Sequence, residues 1–304
     1  MTGVSLINRK LKRELPLYLM ILPGSLLVLI FAYGPMVGIV MAFQRYLPTK
    51  GFFNSPWVGL KNFEYIFEMP DVAQVLWNTI FIAIMKIAAG LIVPIIFALM
   101  LNEVRGRLFK RSIQTLVYLP HFLSWVILGG ILVDILSPSY GIINQFIKGL
   151  GMEPIYFLGD NKVFPYTMVV SDVWKSFGFS TIVYLASLTG INPELYESSI
   201  MDGANRWRQT WHITLPGMLP IIVLTTVLSL GSVLNAGFDQ IFNLYSPQVY
   251  KSGDIIDTMV YRVGFVNAQY SVSTALGLFK SLVSFVLVVA SYKLADKVAN
   301  YRIF

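Results

Sequence analysis

The chain has 304 residues, 56% of them hydrophobic and only 13% charged, with a mean hydropathy of +0.66. A soluble globule carries roughly 45–50% apolar and ~25% charged residues, so this composition excludes a soluble domain and indicates a membrane protein. The lack of cysteine excludes disulfides and thiolate metal sites, and the net charge of +7, divided among short loops rather than gathered on one face, excludes a nucleic-acid footprint.

In chain order, residues 1–16 form a basic segment with interspersed Leu and Ile. It either lies along an anionic membrane surface, where each basic residue contributes ~1 kcal/mol, or is a solvated flank. Six segments then reach the ~20 apolar residues that a span requires, near 17–43, 76–101, 113–136, 164–189, 217–238 and 271–293. The first is too long for a signal peptide, and no small-x-small cleavage site follows it, so it reads as a retained span. The 44–75 loop carries Pro48, Gly51 and Pro56 and is expected to hold a short helix near 61–68. The 137–163 loop is rich in Gly and Pro. In the 239–270 loop, Ile255, Met259, Arg262 and Val263 recur at helical spacing and predict a short helix over 254–268. Residues 294–304 form a tail after the last span.

Lys and Arg in the short loops set the orientation. Arg9, Lys10, Lys12, Arg13, Arg105, Arg107, Lys110, Arg111, Arg206, Arg208, Lys293, Lys297 and Arg302 fall on one side of the six-span scheme, thirteen in all; the opposite, longer loops hold seven. The expected fold class is therefore an all-α integral membrane protein with six transmembrane helices and both termini cytoplasmic. Lys86, Lys175 and Lys280 lie inside spans, where ionisable groups are costly and face a pathway or a partner.

The richest segment is the cytoplasmic loop 190–216 between the fourth and fifth spans. It reads as two short helices broken at Gly203. Asn192 is suited to cap the first, and Pro193 sits in its first turn, where a missing N–H costs nothing. Gly203 can take the positive φ of a helix end. Glu197, Ser198, Ser199, Asp202 and Gly203 are followed, after nine residues, by Ile213, Thr214, Leu215 and Pro216.

This spacing resembles the EAA loop of ABC importer permeases, with Ser198 and Ser199 in place of the two alanines. Weaker similarities run in order along nearly the whole chain. They are Trp57-Val58-Gly59-Leu60-Lys61-Asn62-Phe63, Asn78-Thr79, Tyr118-Leu119-Pro120, Gly141-Ile142-Ile143-Asn144, Trp174-Lys175 and Gly178-Phe179. Together they resemble carbohydrate-uptake permeases of the MalF-like kind, for oligosaccharides and polysaccharide fragments. The resemblance implies type I ABC importer permease architecture, with a transmembrane permease domain over 17–293, in a bacterial plasma membrane.

It also implies partners: a second homologous permease, two ATPase subunits, an extracellular solute-binding protein, membrane lipid and a carbohydrate substrate. No phosphate-binding G-x-x-x-x-G-K-[ST] loop is present, so this chain is expected to bind no cofactor, with ATP and Mg on the partner ATPase. In the family the loop helices sit in a groove of the ATPase, whose closure rocks the spans. That implies a coupling role for Glu197, Ser198, Ser199, Asp202, Gly203, Ile213, Leu215 and Pro216. Trp207 and Trp211, four apart on one helix face, would be apolar anchors there or would pack on the first loop helix or toward the membrane.

No catalytic or metal-ligating constellation is evident, since His121 and His212 fall at opposite ends of the topology. Asp172 and Lys175 share a helix face and can pair. With Trp174 and Phe177 they form a candidate sugar passage, to which Asn235, Phe238 and Asp239 at the outer end of the fifth span could belong; alternatively the charged pair is a structural link. Two other readings stand against the importer. A stand-alone secondary transporter predicts repeated halves, which are not visible. An ABC permease for a non-sugar solute shares the loop.

Overall fold

The structure is a computed structural model that describes the backbone of residues 3–299 and the side chains of residues 14–291 and 293. The side chains of Arg9, Lys10, Lys12, Arg13 and Lys297, and all of Arg302, which entered the charge count, lie outside the described residues. Among those described the chain is helical, and the one strand-like pairing is a single bridge between Gln44 and Trp57. Two compact units divide the molecule, one of residues 1–68 with 263–278, the other of residues 69–262 with 279–304.

In the first unit, helix α1 (Gly3–Val28) continues through a π turn (Leu29–Tyr33) and a 3-10 stretch (Gly34–Phe43). Its last carbonyls need partners, because the final turn of any helix leaves them unpaired. Val58 and Gly59 N–H donate to the Phe43 carbonyl at 2.9 and 3.1 Å, and Asn62 Nδ2 donates to Ala42 and Gln44 carbonyls at 2.8 and 3.0 Å. Phe43 packs on the Trp57 and Phe63 rings, with centroids 5.8 and 5.5 Å away. The Trp57–Phe63 motif is thus the C-terminal cap of the first span. It leads into α2 (Lys61–Glu68), the short helix the sequence predicts.

The second unit is built on α3 (Val72–Glu103), α4 (Arg107–Tyr118), α5 (Trp125–Ile135), α6 (Ile142–Gly149) and α7 (Phe164–Thr189). Asn78 Nδ2 donates to the Lys251 and Asp254 carbonyls, both at 3.1 Å, and Thr79 Oγ1 accepts from Ile256 N–H at 2.9 Å. Asn144 bonds the Leu136, Ser137 and Ile155 carbonyls and the Ile155 N–H, which closes the 137–155 loop on itself. At Gly178 a Cβ would run into the Val117 carbonyl, so glycine is what lets α4 and α7 cross. The core combines Ile82, Leu128, Phe164, Met168, Leu234, Ile241 and Ile255.

Among the described residues, four helices are long and apolar enough to cross a membrane: Glu14–Phe43, Val72–Glu103, Arg206–Leu230 and Tyr270–Ser291. Two segments depart from the six-span expectation in detail. The stretch expected as one span over 113–136 is a pair, Arg107–Phe122 and Trp125–Ile135, bent by 106°. Pro120 lies in a 3-10 turn at the bend, and Ser124 caps the next helix through its hydroxyl. The stretch expected over 217–238 begins earlier, because the loop helix runs straight into it, and ends at Leu230. Helix α7 has the length of a span, 26 residues, but carries Ser171, Asp172, Lys175 and Ser176, and composition keeps it out of the apolar set.

In the 239–270 segment, α12 (Ile256–Tyr261), preceded by α11 (Phe238–Leu244), meets the expected short helix. Arg262 Nη2 donates to buried Asp254 at 2.6 Å and its guanidinium lies 4.6 Å from the centre of the Tyr250 ring. Burial pushes the Asp254 carboxyl up, against the hydrogen bonds from Thr258 and Arg262 that pull it down.

Candidate functional site

Helix α8 (Pro193–Met201) opens as expected, with Asn192 Oδ1 accepting from the Glu194 N–H at 3.0 Å. It closes in a Schellman motif: Ala204 N–H reaches the Ser199 carbonyl at 2.9 Å and Gly203 N–H the Ile200 carbonyl at 3.0 Å. Gly203 takes φ +76°, and a Cβ there would meet nothing within 4 Å, so its open side is free surface of this chain. Asn205 then caps α9 (Arg206–Gln209), accepting from Arg208 N–H at 3.0 Å.

The two short helices are braced to each other. Gln209 Nε2 donates to Ser199 Oγ at 3.0 Å, Ser199 Oγ donates to the Tyr196 carbonyl at 2.8 Å, and the Tyr196 and Thr214 hydroxyls meet at 3.0 Å. Ser199, one of the two departures from the alanine pattern, is therefore a joint. Ser198 is exposed, and its hydroxyl donates to the Leu195 carbonyl at 3.2 Å. Glu197 and Asp202 are exposed.

After α9 the chain passes through one π turn (Thr210–Thr214) into α10 (Leu215–Leu230), with Pro216 in the first turn. The loop's second helix and the span are consequently one rod, Arg206–Leu230. Arg206 also forms an ion pair with Glu103 at the end of α3. Trp207 and Trp211 pack edge to face at 5.9 Å, remain 70% and 54% exposed, and with Ile92, Ile96, Leu99 and Leu215 line an apolar cavity of about 710 Å³. Both rings lie against the C-terminal half of α3, and Ile213 is half-buried nearby.

Deeper in the same unit, a smaller cavity of about 220 Å³ is lined by Lys86, Gly90, Asp172, Ser229, Ser232, Asn235 and Gly237, among others. Lys86 is 9% exposed and stands 3.6 Å from Asp172, which is 32% exposed. Lys86 Nζ also donates to the Ala236 carbonyl at 2.7 Å and to Gln240 Oε1. Gln240, fully buried, donates in turn to the Met168 carbonyl and to Ser171 Oγ, both at 2.8 Å. Gly237 holds φ +94°, and a Cβ there would stand 2.8 Å from Lys86 Nζ.

Of the pathway candidates, only Asp172 and Asn235 line this cavity. Asp172 pairs with Lys86 on α3. The Asp172–Lys175 pair suggested by their spacing does not form: Lys175 Nζ donates instead to the His121 carbonyl at 2.8 Å and lies 5.6 Å from the Trp125 ring. That carbonyl is at the break of the bent pair, where the helical ladder leaves acceptors open, and an ammonium fills the vacancy. Phe177 packs edge to face on Phe97 at 5.2 Å, Phe238 stacks on Phe242 at 5.2 Å, and Trp174 and Asp239 are exposed elsewhere. Lys280 pairs with Asp257. Gln240 and Gly237 were not singled out in the sequence; a glycine flanking a span end was the one signal for the second, and none existed for the first.

Residues 90–299 match the profile of a family described as binding-protein-dependent transport system inner membrane component. The chain is similar to the polygalacturonan/rhamnogalacturonan transport system permease protein YteP of Bacillus subtilis (strain 168), at 43% identity over 295 residues, 97% of this chain and 92% of that protein. It is also similar to a crystal structure of a bacterial ABC transporter involved in the import of the acidic polysaccharide alginate. There the TM-score is 0.89 at 38% identity, covering 96% of this chain and 99% of that one. A second structure, of bacterial alginate ABC transporter in complex with alginate pentasaccharide-bound periplasmic protein, gives 0.87 at 38% identity and covers 95% and 97%.

Proposed function

The chain belongs to the family of binding-protein-dependent transport system inner membrane components, and we propose that it imports fragments of acidic polysaccharide as one permease subunit of an ATP-driven assembly. It is a multi-pass membrane protein with the fold of a type I ABC permease. The proposal adds the substrate class, from proteins that handle polygalacturonan or alginate at 43% and 38% identity over nearly the full length of this chain. It also adds six spans: the four apolar helices, the bent pair taken as one broken span, and α7. Both termini and the 190–216 loop face the cytoplasm. The partners are a second permease, two ATPases that bind ATP and Mg, and an external binding protein.

The observation that carries the reading is the braced helix pair joined to a span. An ATPase that grips the exposed surface around Glu197, Asp202 and Gly203 moves a stiff unit, because Ser199–Gln209 and Tyr196–Thr214 lock the two short helices. The Arg206–Leu230 rod has 25 residues, about 37 Å at 1.5 Å per residue. Its far end carries Ser229 and leads directly to Ser232 and Asn235, three residues that line the Lys86–Asp172 cavity. Movement at the ATPase thus reaches the cavity through Ser229, which lies on the helix itself. Differential binding of the loop in the two ATPase states biases the two arrangements of the permease.

The test is to tag the chain, extract it from its native membrane in mild detergent, and identify what co-purifies. Recovery of an ATPase and a second multi-span chain, with ATP turnover stimulated by oligogalacturonide-loaded binding protein, supports the proposal. Recovery of this chain alone, still moving solute in liposomes, overturns it in favour of a stand-alone transporter.

A further inference from the structure

We infer that Lys86 reads the charge of the passing substrate and that Asp172 is the resident counter-anion which a substrate carboxylate displaces. This rests on the acidic-polysaccharide reading above and assigns that specificity to one residue. An ammonium has three N–H groups. Two of those on Lys86 are taken by neutral acceptors, the Ala236 carbonyl and Gln240 Oε1, which fix its position without cancelling its charge. Among the described residues only Asp172 neutralises it, and at 3.6 Å that contact is longer than the 2.7–2.9 Å of a direct charge-assisted hydrogen bond. The third donor is therefore loosely held and borders the cavity.

The rest of the site is arranged around that donor. Gln240 is held by the Met168 carbonyl and Ser171 Oγ, so its carbonyl oxygen is aimed at Lys86 by a second layer of bonds. Gly237, in a conformation that L side chains rarely adopt, leaves room for the ammonium where any Cβ would crowd it. Ser229, Ser232 and Asn235 line the same cavity and supply hydroxyl and amide groups of the kind that bond sugar hydroxyls. At about 220 Å³ the space falls below the ~300–1,000 Å³ of sites that enclose drug-sized ligands, so it suits one ring of a chain in passage rather than a whole oligosaccharide. Lys86 sits near the middle of the 32-residue α3. A uronate ring brings its own carboxylate. It can take the place of Asp172 and leave the cation neutralised, whereas a neutral ring cannot.

The assembled importer, reconstituted with its binding protein, would be given trigalacturonate and its carboxyl-reduced neutral counterpart. The readout is the ratio of the two uptake rates in wild type, Lys86→Gln, Lys86→Arg and Asp172→Asn. The binding protein's own preference cancels, because it is the same in every arm. Lys86→Gln should lower the acid-to-neutral ratio about tenfold or more, the value of one hydrogen bond to a charged group. Lys86→Arg should retain most of it, and Asp172→Asn should raise it. Asp172→Asn keeps the test decisive if Lys86→Gln fails to assemble. Wild type that imports the acid trimer, with the ratio unchanged in the variants, overturns the inference alone and leaves the pair a structural link. Wild type that imports neither trimer overturns the carbohydrate reading and the inference with it.

Discussion

At the scale of single residues, backbone conformation and backbone hydrogen bonds decide most of what can be tested. Gly203 sits at φ +76° with nothing packed against it, so Gly203→Ala should cost about 1–2 kcal/mol of loop stability, from the methyl against its own backbone and not from any clash with the rest of the chain. Gly203→Asp adds a charge to the surface proposed to meet the ATPase. It should abolish uptake while leaving the amount of inserted chain unchanged, as read by membrane fractionation beside a transport assay; normal uptake would remove the coupling role. Asn78 is nearly fully buried and serves two carbonyls. Asn78→Ala strands both, and should lower stability by about 2 kcal/mol in detergent melts. Asp254 gives a pH prediction. Its folded pKa lies above the ordinary value of 3.8, so the folded state takes up the proton first. The resulting stabilisation is fully present below that value and is lost as pH rises through the folded pKa. Relative to a non-titrating Asp254→Asn variant, wild type should gain melting temperature between neutral pH and about pH 4.

At the scale of elements, the brace between α8 and α9 and the crossing of α4 with α7 are the testable joints. A neutral hydrogen bond contributes about 1 kcal/mol, and the Ser199–Gln209 bond is only partly buried. Ser199→Ala, which restores the residue usual in the resembled loop, should therefore reduce uptake by less than about threefold. A double-mutant cycle with Gln209→Ala should show coupling between the two positions, and strict additivity would mean that the brace carries nothing. Gly178 is less forgiving. Even one methyl group must displace the Val117 backbone, so Gly178→Ala should destabilise by about 1–3 kcal/mol, seen as a lower melting temperature in detergent. These joints were half legible. Asn192, Pro193, Gly203 and Pro216 are local signals, because a cap or a helix end is settled within a few residues. The reasons for Ser199, Asn62 and Gly178 lie in partners that sequence order does not bring near.

At the scale of the whole molecule, the proposed six-span topology can be mapped directly. The chain contains no cysteine, so single cysteines can be introduced and probed with a membrane-impermeant thiol reagent on intact cells. Positions in 44–71, 137–163 and 239–269 should label from outside. Positions in 102–106 and 202–205 should label only after the membrane is opened. Labelling of both groups from the same side would rule out the six-span arrangement. The bent pair matters most here, since a 106° break fits either one interrupted span or a re-entrant segment, and irregular backbone at membrane depth is tolerated only where protein or water covers it.

Composition and local pattern by themselves determined the membrane class, the approximate positions of four long apolar helices, the short helix at 61–68, and the ordered loop of two short helices broken at Gly203. Each of these follows from hydrophobic length or from contacts a few residues apart. The tertiary structure alone decided which charges meet. The helix face that Asp172 and Lys175 share allows them to pair, yet Lys175 goes to the carbonyl opened at His121, while Lys86, eighty-six positions away from Asp172, pairs with it. In an apolar interior every polar group takes the nearest available partner in space, and a helix break supplies such partners at points that periodicity does not reveal. The same cause moved the end of the fifth span from 238 to Leu230. Beyond it the backbone unwinds so that the Ala236 carbonyl and Gln240 can hold the ammonium.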